Sequence, residues 1–269
     1  GAKSYMWVYR TGRMYTDHQI ILYEYQKTRN ASHPREFLKD FSGICVTDGY
    51  QVYHTVENER EDLKIAGCWS HSRRRFDEAV RALPKAKQKD SRAYLALTMI
   101  QAICREEKML KDLPAEERKA RRQLSVRPLV EAYFTWVKEN IPKVPQKSKT
   151  WEGFNYSINQ EKYLKVFLDD GEVPMDNNAA EQSIRGFCIG KKNWVMIDTV
   201  AGAKSSAIIY SIAETAKANN LKPYDYFEYL LTEIPEHLDD TDRSFLDDLL
   251  PWSPNLPANC RKPGKDEVK

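Results

Sequence analysis

The stretch GICVTDGY, residues 43–50, decides how the fold of this chain is interpreted. It is a compact apolar run that predicts a buried strand ending at Asp48, with a glycine next. A second apolar run, DLKIAGCW at residues 62–69, predicts another strand. A strand that ends in an aspartate places a carboxylate at the carboxyl edge of a sheet, where open α/β folds bind ligands. The alternative for Asp48 is a plain turn residue, because Asp-Gly is common in turns.

Further strands and helices surround this pair. YMWVYR (5–10) and QIILYEY (19–25) are rich in β-branched and aromatic residues and are joined by a polar link, which predicts a hairpin. HPREFLKDF (33–41) predicts a short helix that opens after a proline. Ser70 is expected to cap a longer helix over residues 70–83. Strands and helices together indicate an α/β protein.

The composition divides the chain into segments. Residues 1–83 are rich in strands and form the first part of the predicted core. Residues 84–148 are charged, almost free of glycine and helical in their apolar spacing, with a break expected near Pro128, so they predict a helical insertion. Residues 149–252 form the second part of the core. The proline-rich, charged residues 253–269 predict a disordered tail.

The second part of the core contains several predicted elements. A helix is expected within residues 149–171, and two more over residues 202–220 and 223–234. KKNWVMID (191–198) predicts a short strand or an extended stretch. A further helix is expected to begin within DNNAAEQSIR, residues 176–185.

This last motif has two interpretations. Asp176 or Asn177 can cap the helix, Glu181 is favoured near its N-terminus by the helix dipole, and Arg185 follows at the spacing of an ion pair. The simple interpretation is therefore a capped helix with a surface ion pair. The alternative is that the helix presents Glu181 as a functional carboxylate.

The bulk composition excludes some classes of protein. Of 269 residues, 41% are hydrophobic and 30% are charged, as in soluble globular proteins, and no apolar run approaches membrane-spanning length. The first residues contain no apolar signal region, so a cytoplasmic location is expected. The five cysteines are scattered without a CxxC pair, which predicts free thiols. A net charge of +3 permits a polyanionic partner without requiring one.

Basic residues lie close to both acids in the sequence, and such side chains neutralise phosphates. The candidate nucleic-acid contacts are His71, Arg73, Arg74, Arg75, Arg185, Lys191 and Lys192. The alternatives are a solvated helix face for the arginine run and a first-turn histidine without a role. Trp69 and Trp194 are interpreted as core residues.

Asp48 and Glu181 are far apart in the sequence, which cannot show whether they meet. Phosphoryl transfer on DNA commonly uses two divalent ions that a few carboxylates hold. Mg²⁺ suits this chemistry because it is a hard cation that prefers oxygen ligands. The two acids are therefore candidate catalytic and metal-binding residues.

Five blocks then carry a family likeness: CVTDGYQVY, GCWSHSRRRF, MDNNAAEQSIRGFCIGKKNW, AIIYSIAETAKANNL and LLPW, in this order. Through them the chain resembles, from Tyr5 to Trp252, the transposases of the insertion-sequence sixty-six family. These are bacterial enzymes that move DNA. The resemblance implies a ribonuclease-H-like core, a mixed sheet flanked by helices, with an all-helical insertion.

The resemblance also implies a DDE mechanism, in which two aspartates and a glutamate hold two Mg²⁺ or Mn²⁺ ions for 3′-end nicking and strand transfer. Asp48 matches the second aspartate and Glu181 the glutamate, whereas His71 and Arg74 match a histidine-arginine block whose role stays open. The implied partners are transposon-end and target DNA, further copies of the enzyme assembled on DNA, and accessory proteins of the same element.

One departure from the family pattern matters. The family's first aspartate lies on a strand that precedes the one matched by YMWVYR, and no residue here matches it; Asp17, in the hairpin link, is a poor substitute. We therefore expect the chain as given to be truncated, to lack the first core strand and to be inactive. Two alternatives stay open: a DNA-binding or interaction protein derived from a transposase, and a ribonuclease-H-like nuclease or resolvase that acts on branched DNA.

Overall fold

The computed structural model of this chain describes residues 4–14, 17–194, 197 and 199–263, with the backbone alone at residues 191–194. Its elements follow in the order β1 (Tyr5–Arg10), β2 (Ile21–Gln26), α1 (Ser32–Phe37), β3 (Gly43–Val46), α2 (Gln51–Asn58), β4 (Leu63–Ala66), α3 (Trp69–Arg81), α4 (Lys85–Gln88), α5 (Arg92–Met109), α6 (Ala115–Arg121), α7 (Arg127–Asn140), α8 (Lys149–Leu164), α9 (Asn178–Trp194), α10 (Val200–Ala218), α11 (Pro223–Glu236) and α12 (Phe245–Leu249). Helices and strands share the chain, which confirms a mixed α/β protein.

The described residues divide into two compact units. We call the first the hairpin unit; it comprises the described residues up to Arg29 and those from Ala180 onward. The second, the parallel-strand unit, comprises Asn30–Ala179. Each unit has a two-stranded sheet and apolar cores of its own. The ribonuclease-H-like core remains a prediction.

In the hairpin unit, β1 and β2 pair antiparallel, from Tyr5 opposite Gln26 to Arg10 opposite Ile21, so the predicted hairpin is confirmed. Helix α10 packs against β2. The hydroxyl of Thr215 accepts a hydrogen bond from the backbone N–H of Ile21 at 3.0 Å and donates one to its carbonyl at 2.9 Å. This side chain satisfies backbone groups that a third strand would otherwise satisfy.

Two parts of the hairpin unit differ from the expectation. Residues 191–194, expected to be extended, continue α9, and residues 195, 196 and 198 lie outside the described residues. Residues 253–263, whose composition predicts disorder, have defined contacts. Cys260 is buried, and its carbonyl accepts the N–H of Lys222 at 2.8 Å. Apolar burial within this short segment outweighs its polar composition.

In the parallel-strand unit, β3 and β4 pair in parallel, from Gly43 beside Leu63 to Val46 beside Ala66. Parallel neighbours cannot be joined by a tight turn and need a crossover connection. Helix α2 lies between the two strands in the sequence and supplies this crossover. The sequence predicts no element for the residues of α2, which lie between the two apolar runs.

The largest apolar core lies in the parallel-strand unit and contains Trp69, Phe76, Phe134 and Phe154, all buried. Trp69 and Phe76 belong to α3, Phe134 to the predicted helical insertion and Phe154 to α8. The indole of Trp69 donates to the carbonyl of Leu164 at 2.8 Å, which confirms its interpretation as a core residue. Segments on both sides of the helical block therefore share one core with it.

A π-helical turn at residues 122–126 joins α6 to α7. The sequence predicts a helix break near Pro128, and the chain instead stays helical through one wide turn before this proline. Proline cannot donate a backbone hydrogen bond, and its ring crowds the preceding turn. A local π turn is one way in which a helix absorbs such strain.

A buried arginine anchors this turn. The side chain of Arg122 has no exposed surface and forms an ion pair with Glu107, in which its Nε lies 3.0 Å from Oε2. Its Nη1 donates to the carbonyls of Phe167 and Asp170, each at 2.6 Å. The guanidinium thus ties the helical block to the turn that follows α8.

Two further expectations concern the whole chain. No helix in the part of the chain that the structure describes is long and apolar enough to cross a bilayer. All five cysteines lie in the described ranges and none forms a disulfide, so the prediction of free thiols is confirmed.

Candidate functional site

The candidate site lies at the carboxyl edge of the β3–β4 pair. Because these strands are parallel, the residues that follow them emerge at the same edge of the sheet. Thr47 follows β3 and donates its N–H to Ala66, the last residue of β4, at 2.9 Å. The segments that begin at Thr47 and Gly67 are thereby held side by side. Strand β3 ends two residues before the predicted end at Asp48, and β4 ends three residues before the end of its predicted run at Trp69, since the chain turns directly after this point.

Asp48 is exposed in the turn after β3. Its Oδ1 accepts the backbone N–H of Tyr50 at 3.0 Å, and Gly49 adopts φ +82°. This is an Asx turn with glycine in the left-handed region, so the simple turn interpretation describes the local geometry correctly. Among the described residues the carboxylate forms no ion pair, and its charge can therefore serve a bound cation.

Helix α3 begins at the same edge, after Cys68. The expected cap is wrong: the helix begins at Trp69, one residue before Ser70, and no side chain caps it. His71 lies half-buried in the first turn. The helix dipole places partial positive charge at this N-terminus, which favours anions nearby.

The three arginines of this helix, Arg73, Arg74 and Arg75, are exposed. Their exposure is what the solvated-face alternative predicts, and it also leaves the guanidinium groups accessible to phosphates. Arg75 lies over the ring of Tyr156, with its Cζ 4.3 Å from the ring centroid. A cation held over an aromatic face in this way is attracted by the quadrupole of the ring.

The segment that leads into α9 lies against the start of α3. The N–H of Trp69 donates to the carbonyl of Met175 at 3.0 Å, and the N–H of Asn177 donates to Cys68 Sγ at 3.2 Å. Asp176 accepts the N–H of Asn178, the first residue of α9, at 3.0 Å. Asp176 thus forms an Asx turn directly before α9, one position ahead of the N-cap residue Asn177. Burial raises the pKa of the Cys68 thiol, so this sulfur stays protonated at neutral pH.

Glu181 is half-buried in the first turn of α9, as predicted. Arg185 is exposed, and within the described residues no ion pair joins it to Glu181, so the simple surface-pair interpretation is not supported. The side chains of Lys191 and Lys192 lie outside the described residues. Glu181 belongs to the hairpin unit and Asp48 to the parallel-strand unit, and the convergence of the two carboxylates stays a prediction.

Sequence reasoning missed two residues of α8 that adjoin the Asp48 turn. A Cβ added to Gly49 would lie 2.9 Å from Tyr156 Oη and 3.4 Å from Gln160 Oε1. The four-residue spacing of Tyr156 and Gln160 places them on one helix face. That spacing is common on helices of every kind, so only the approach of α8 to the turn distinguishes them.

Comparisons with known proteins agree along the chain. Residues 1–205 match the family model described as "Transposase IS66 family", and residues 211–252 match "IS66 C-terminal element". The similar proteins include three from Sinorhizobium fredii (strain NBRC 101917 / NGR234). "Uncharacterized protein y4qI" is 29% identical over 93% of this chain and 47% of its own length. "Uncharacterized protein y4hP" is 26% identical over 86% of this chain and 43% of its own length. "Uncharacterized protein y4jD" is 25% identical over 86% of this chain and 45% of its own length.

The chain thus spans less than half the length of these curated relatives. No solved structure matches it significantly.

Proposed function

Because this chain belongs to the IS66 family of transposases, we propose that it is the catalytic segment of a DDE-type DNA transposase. The proposed reactions are metal-dependent nicking at the 3′ ends of a bacterial insertion sequence and transfer of those ends to target DNA. The proposed core is ribonuclease-H-like. Asp48 and Glu181 are the carboxylates that we assign to it, and a further aspartate completes the set.

The observation that carries this proposal is the position of Asp48. It is an exposed carboxylate, without an ion pair among the described residues, at the carboxyl edge of a parallel strand pair. Helix α3, with its basic residues, begins at the same edge. Phosphodiester chemistry on DNA uses carboxylates that hold a divalent cation and basic side chains that bind phosphates.

The donor set fits a hard divalent ion. Oδ1 of Asp48 is used by the turn, and a carboxylate has further lone pairs that can face a metal. Mg²⁺ or Mn²⁺, held by Asp48 and Glu181 together with the further aspartate, would activate the attacking oxygen and stabilise the leaving oxygen. The Asx turn fixes the position of the Asp48 carboxylate. The first turn of α9 carries the Glu181 carboxylate.

The first test is a nicking assay. We expect an intact transposase that carries this chain to nick linear DNA with the ends of its element when Mg²⁺ or Mn²⁺ is present. We expect the 269-residue chain alone to be inactive or nearly so, because it offers two of the three carboxylates that the mechanism needs. Gel analysis of end-labelled DNA measures both.

Comparison of substrates separates the alternatives. Branched DNA or an RNA–DNA hybrid cleaved in preference to transposon ends would favour a nuclease or resolvase. DNA binding without cleavage by the intact protein would favour an interaction protein. Efficient 3′ nicking by the 269-residue chain alone would contradict our assignment of the carboxylates.

A second test concerns affinity for DNA. We expect the chain to bind duplex DNA with little sequence preference and to lose affinity steeply as salt rises, because phosphate contacts release counterions. Replacing Arg73 with glutamine should weaken binding to all sequences and lower the slope of log K against log salt by about 1. Fluorescence anisotropy over a salt series measures this slope.

The matched control is Arg35→Gln. Arg35 is also a surface arginine, but it forms a two-pronged ion pair with Glu59, with both nitrogen–oxygen distances at 2.7 Å. Its substitution should leave the salt slope unchanged. An affinity that does not change between low and high salt would contradict the proposed phosphate contacts.

A further inference from the structure

Helix α11 has two apolar faces, and only one of them packs into the hairpin unit. On the packed face, Tyr226 and Leu230 are buried in a small core with Leu249. The hydroxyl of Tyr226 also donates to the carbonyl of Leu249 at 2.6 Å, which fixes the helix on this core. The other face carries the apolar stripe, which we define as Tyr224, Phe227, Leu231, Ile234 and Leu238.

The apolar stripe is open to solvent in the described part of the chain. Phe227 is half-buried, and the other four side chains are exposed, among them Leu231 by 73% and Tyr224 by 78%. Leu238 lies in the turn directly after α11, which ends at Glu236. A continuous apolar surface of this kind on a globular protein marks an interaction site, whereas single exposed apolar residues do not.

The spacing of the stripe indicates the shape of its partner. Its members follow one another by alternating steps of three and four residues. This spacing keeps them on one side of a helix and is the a/d seam along which two helices pack together. The stripe therefore fits a second helix that lies along α11.

The charges next to the stripe are acidic. Glu228 lies four residues after Tyr224 and three before Leu231, so it borders the stripe. Glu228 and Glu236 are exposed, and neither forms an ion pair among the described residues. Residues 223–242 contain no lysine or arginine and seven acids, in a chain whose net charge is +3: Asp225, Glu228, Glu233, Glu236, Asp239, Asp240 and Asp242.

This charge selects among the possible occupants. A second copy of α11 would bring like charges together, which is unfavourable at an interface. The phosphates of DNA would be repelled in the same way. A helix with the same apolar spacing and with lysine or arginine at the flanking positions matches both the stripe and its acidic border.

We propose that the apolar stripe of α11 is a docking site for a basic amphipathic helix of a partner protein. The apolar side chains of that helix pack around Leu231, at the centre of the stripe, and its basic side chains lie beside Glu228 and Glu236. The docking site does not depend on the proposed function, because none of its residues belongs to the edge that carries Asp48.

The test uses a fluorescent synthetic peptide of three heptads, with leucine at a and d, lysine at e and g, and alanine elsewhere. We expect it to bind the 269-residue chain saturably in an anisotropy titration. Leu231→Gln should weaken this binding at least about tenfold, because the burial of one leucine side chain is lost. Glu228→Gln should weaken binding at low salt and make it less dependent on salt, since an attraction between charges is removed.

Leu124→Gln is the matched control, because Leu124 is 75% exposed and lies in the π-helical turn before α7. Its substitution should leave the affinity for the peptide unchanged. A peptide with glutamine in place of every leucine, and one with glutamate in place of every lysine, should both bind more weakly than the original. The midpoint of urea unfolding should stay that of the wild type in Leu231→Gln, since this side chain is exposed.

Each further outcome decides the proposal. Equal peptide affinity in the wild type and Leu231→Gln, or an equal loss in Leu124→Gln, would overturn it. Sedimentation equilibrium that shows self-association of the wild type and none of Leu231→Gln would assign the stripe to a second copy of the chain instead. A loss of duplex DNA affinity in Leu231→Gln would assign it to DNA. None of these results bears on nicking by an intact transposase, which tests the proposed function separately.

Discussion

Replacing Asp48 with asparagine is expected to slow 3′-end nicking by an intact transposase carrying this chain at least about a hundredfold. Divalent ions supply several kcal/mol of transition-state stabilisation, and each 1.4 kcal/mol corresponds to a factor of ten in rate. The substitution removes a charge that no cation among the described residues neutralises. The amide oxygen can still accept the N–H of Tyr50, so the Asx turn should persist and the protein should fold. Glu181→Gln should have a similar effect.

The matched control for this experiment is Asp170→Asn. Asp170 is another turn aspartate, whose Oδ1 accepts the N–H of Glu172 at 2.8 Å. Its substitution changes the net charge equally and should leave nicking unchanged. Rates are compared by single-turnover assays in Mg²⁺, with DNA affinity measured in parallel. Nicking by Asp48→Asn within a few-fold of the wild type would refute its role as a metal ligand.

The largest expected loss of stability comes from Arg122→Met. The substitution leaves the carboxylate of Glu107 buried without its cation and leaves the carbonyls of Phe167 and Asp170 without a donor. Removing one partner of a buried ion pair typically costs about 3–5 kcal/mol. We expect a fall of that size in the free energy of unfolding, measured by urea denaturation followed by circular dichroism.

Arg127→Met is the control for this variant. Arg127 pairs with Asp169 at the surface, with both side chains partly exposed, and exposed pairs contribute about 0–1 kcal/mol. The double variant Glu107→Leu/Arg122→Met should recover part of the lost stability, because it removes the stranded charge. If Arg122→Met and Arg127→Met lowered the free energy of unfolding equally, the buried Arg122–Glu107 pair would contribute no more to stability than a surface pair.

The sequence predicts well those elements whose signal is local. The hairpin, the two parallel strands and most helices follow from apolar periodicity. Helix α2 is not predicted, because no element is assigned between the apolar runs at residues 43–50 and 62–69. The order of residues 253–263 was missed because a proline-rich composition does not reveal the burial of Cys260. Ser70 was given a capping role that the helix start at Trp69 excludes.

The sequence likewise predicts some residues of the candidate site and not others. Asp48 and the arginines of α3 could be named because strand ends and basic runs are visible in the sequence. Tyr156 and Gln160 could not, because their relevance depends on α8 reaching a turn that lies more than a hundred residues earlier in the chain. No local pattern encodes such an approach, which arises from packing around the shared apolar core.

That shared core has an evolutionary consequence. Phe134 belongs to the charged, glycine-poor block, and it is buried with Trp69 and Phe154 from the segments on either side. Excision of the block would expose large aromatic surfaces to water, at a cost of about 1.5–3 kcal/mol for each large side chain. The block is therefore not a removable module, and lineages that carry it can shorten it only by rebuilding the neighbouring segments at the same time.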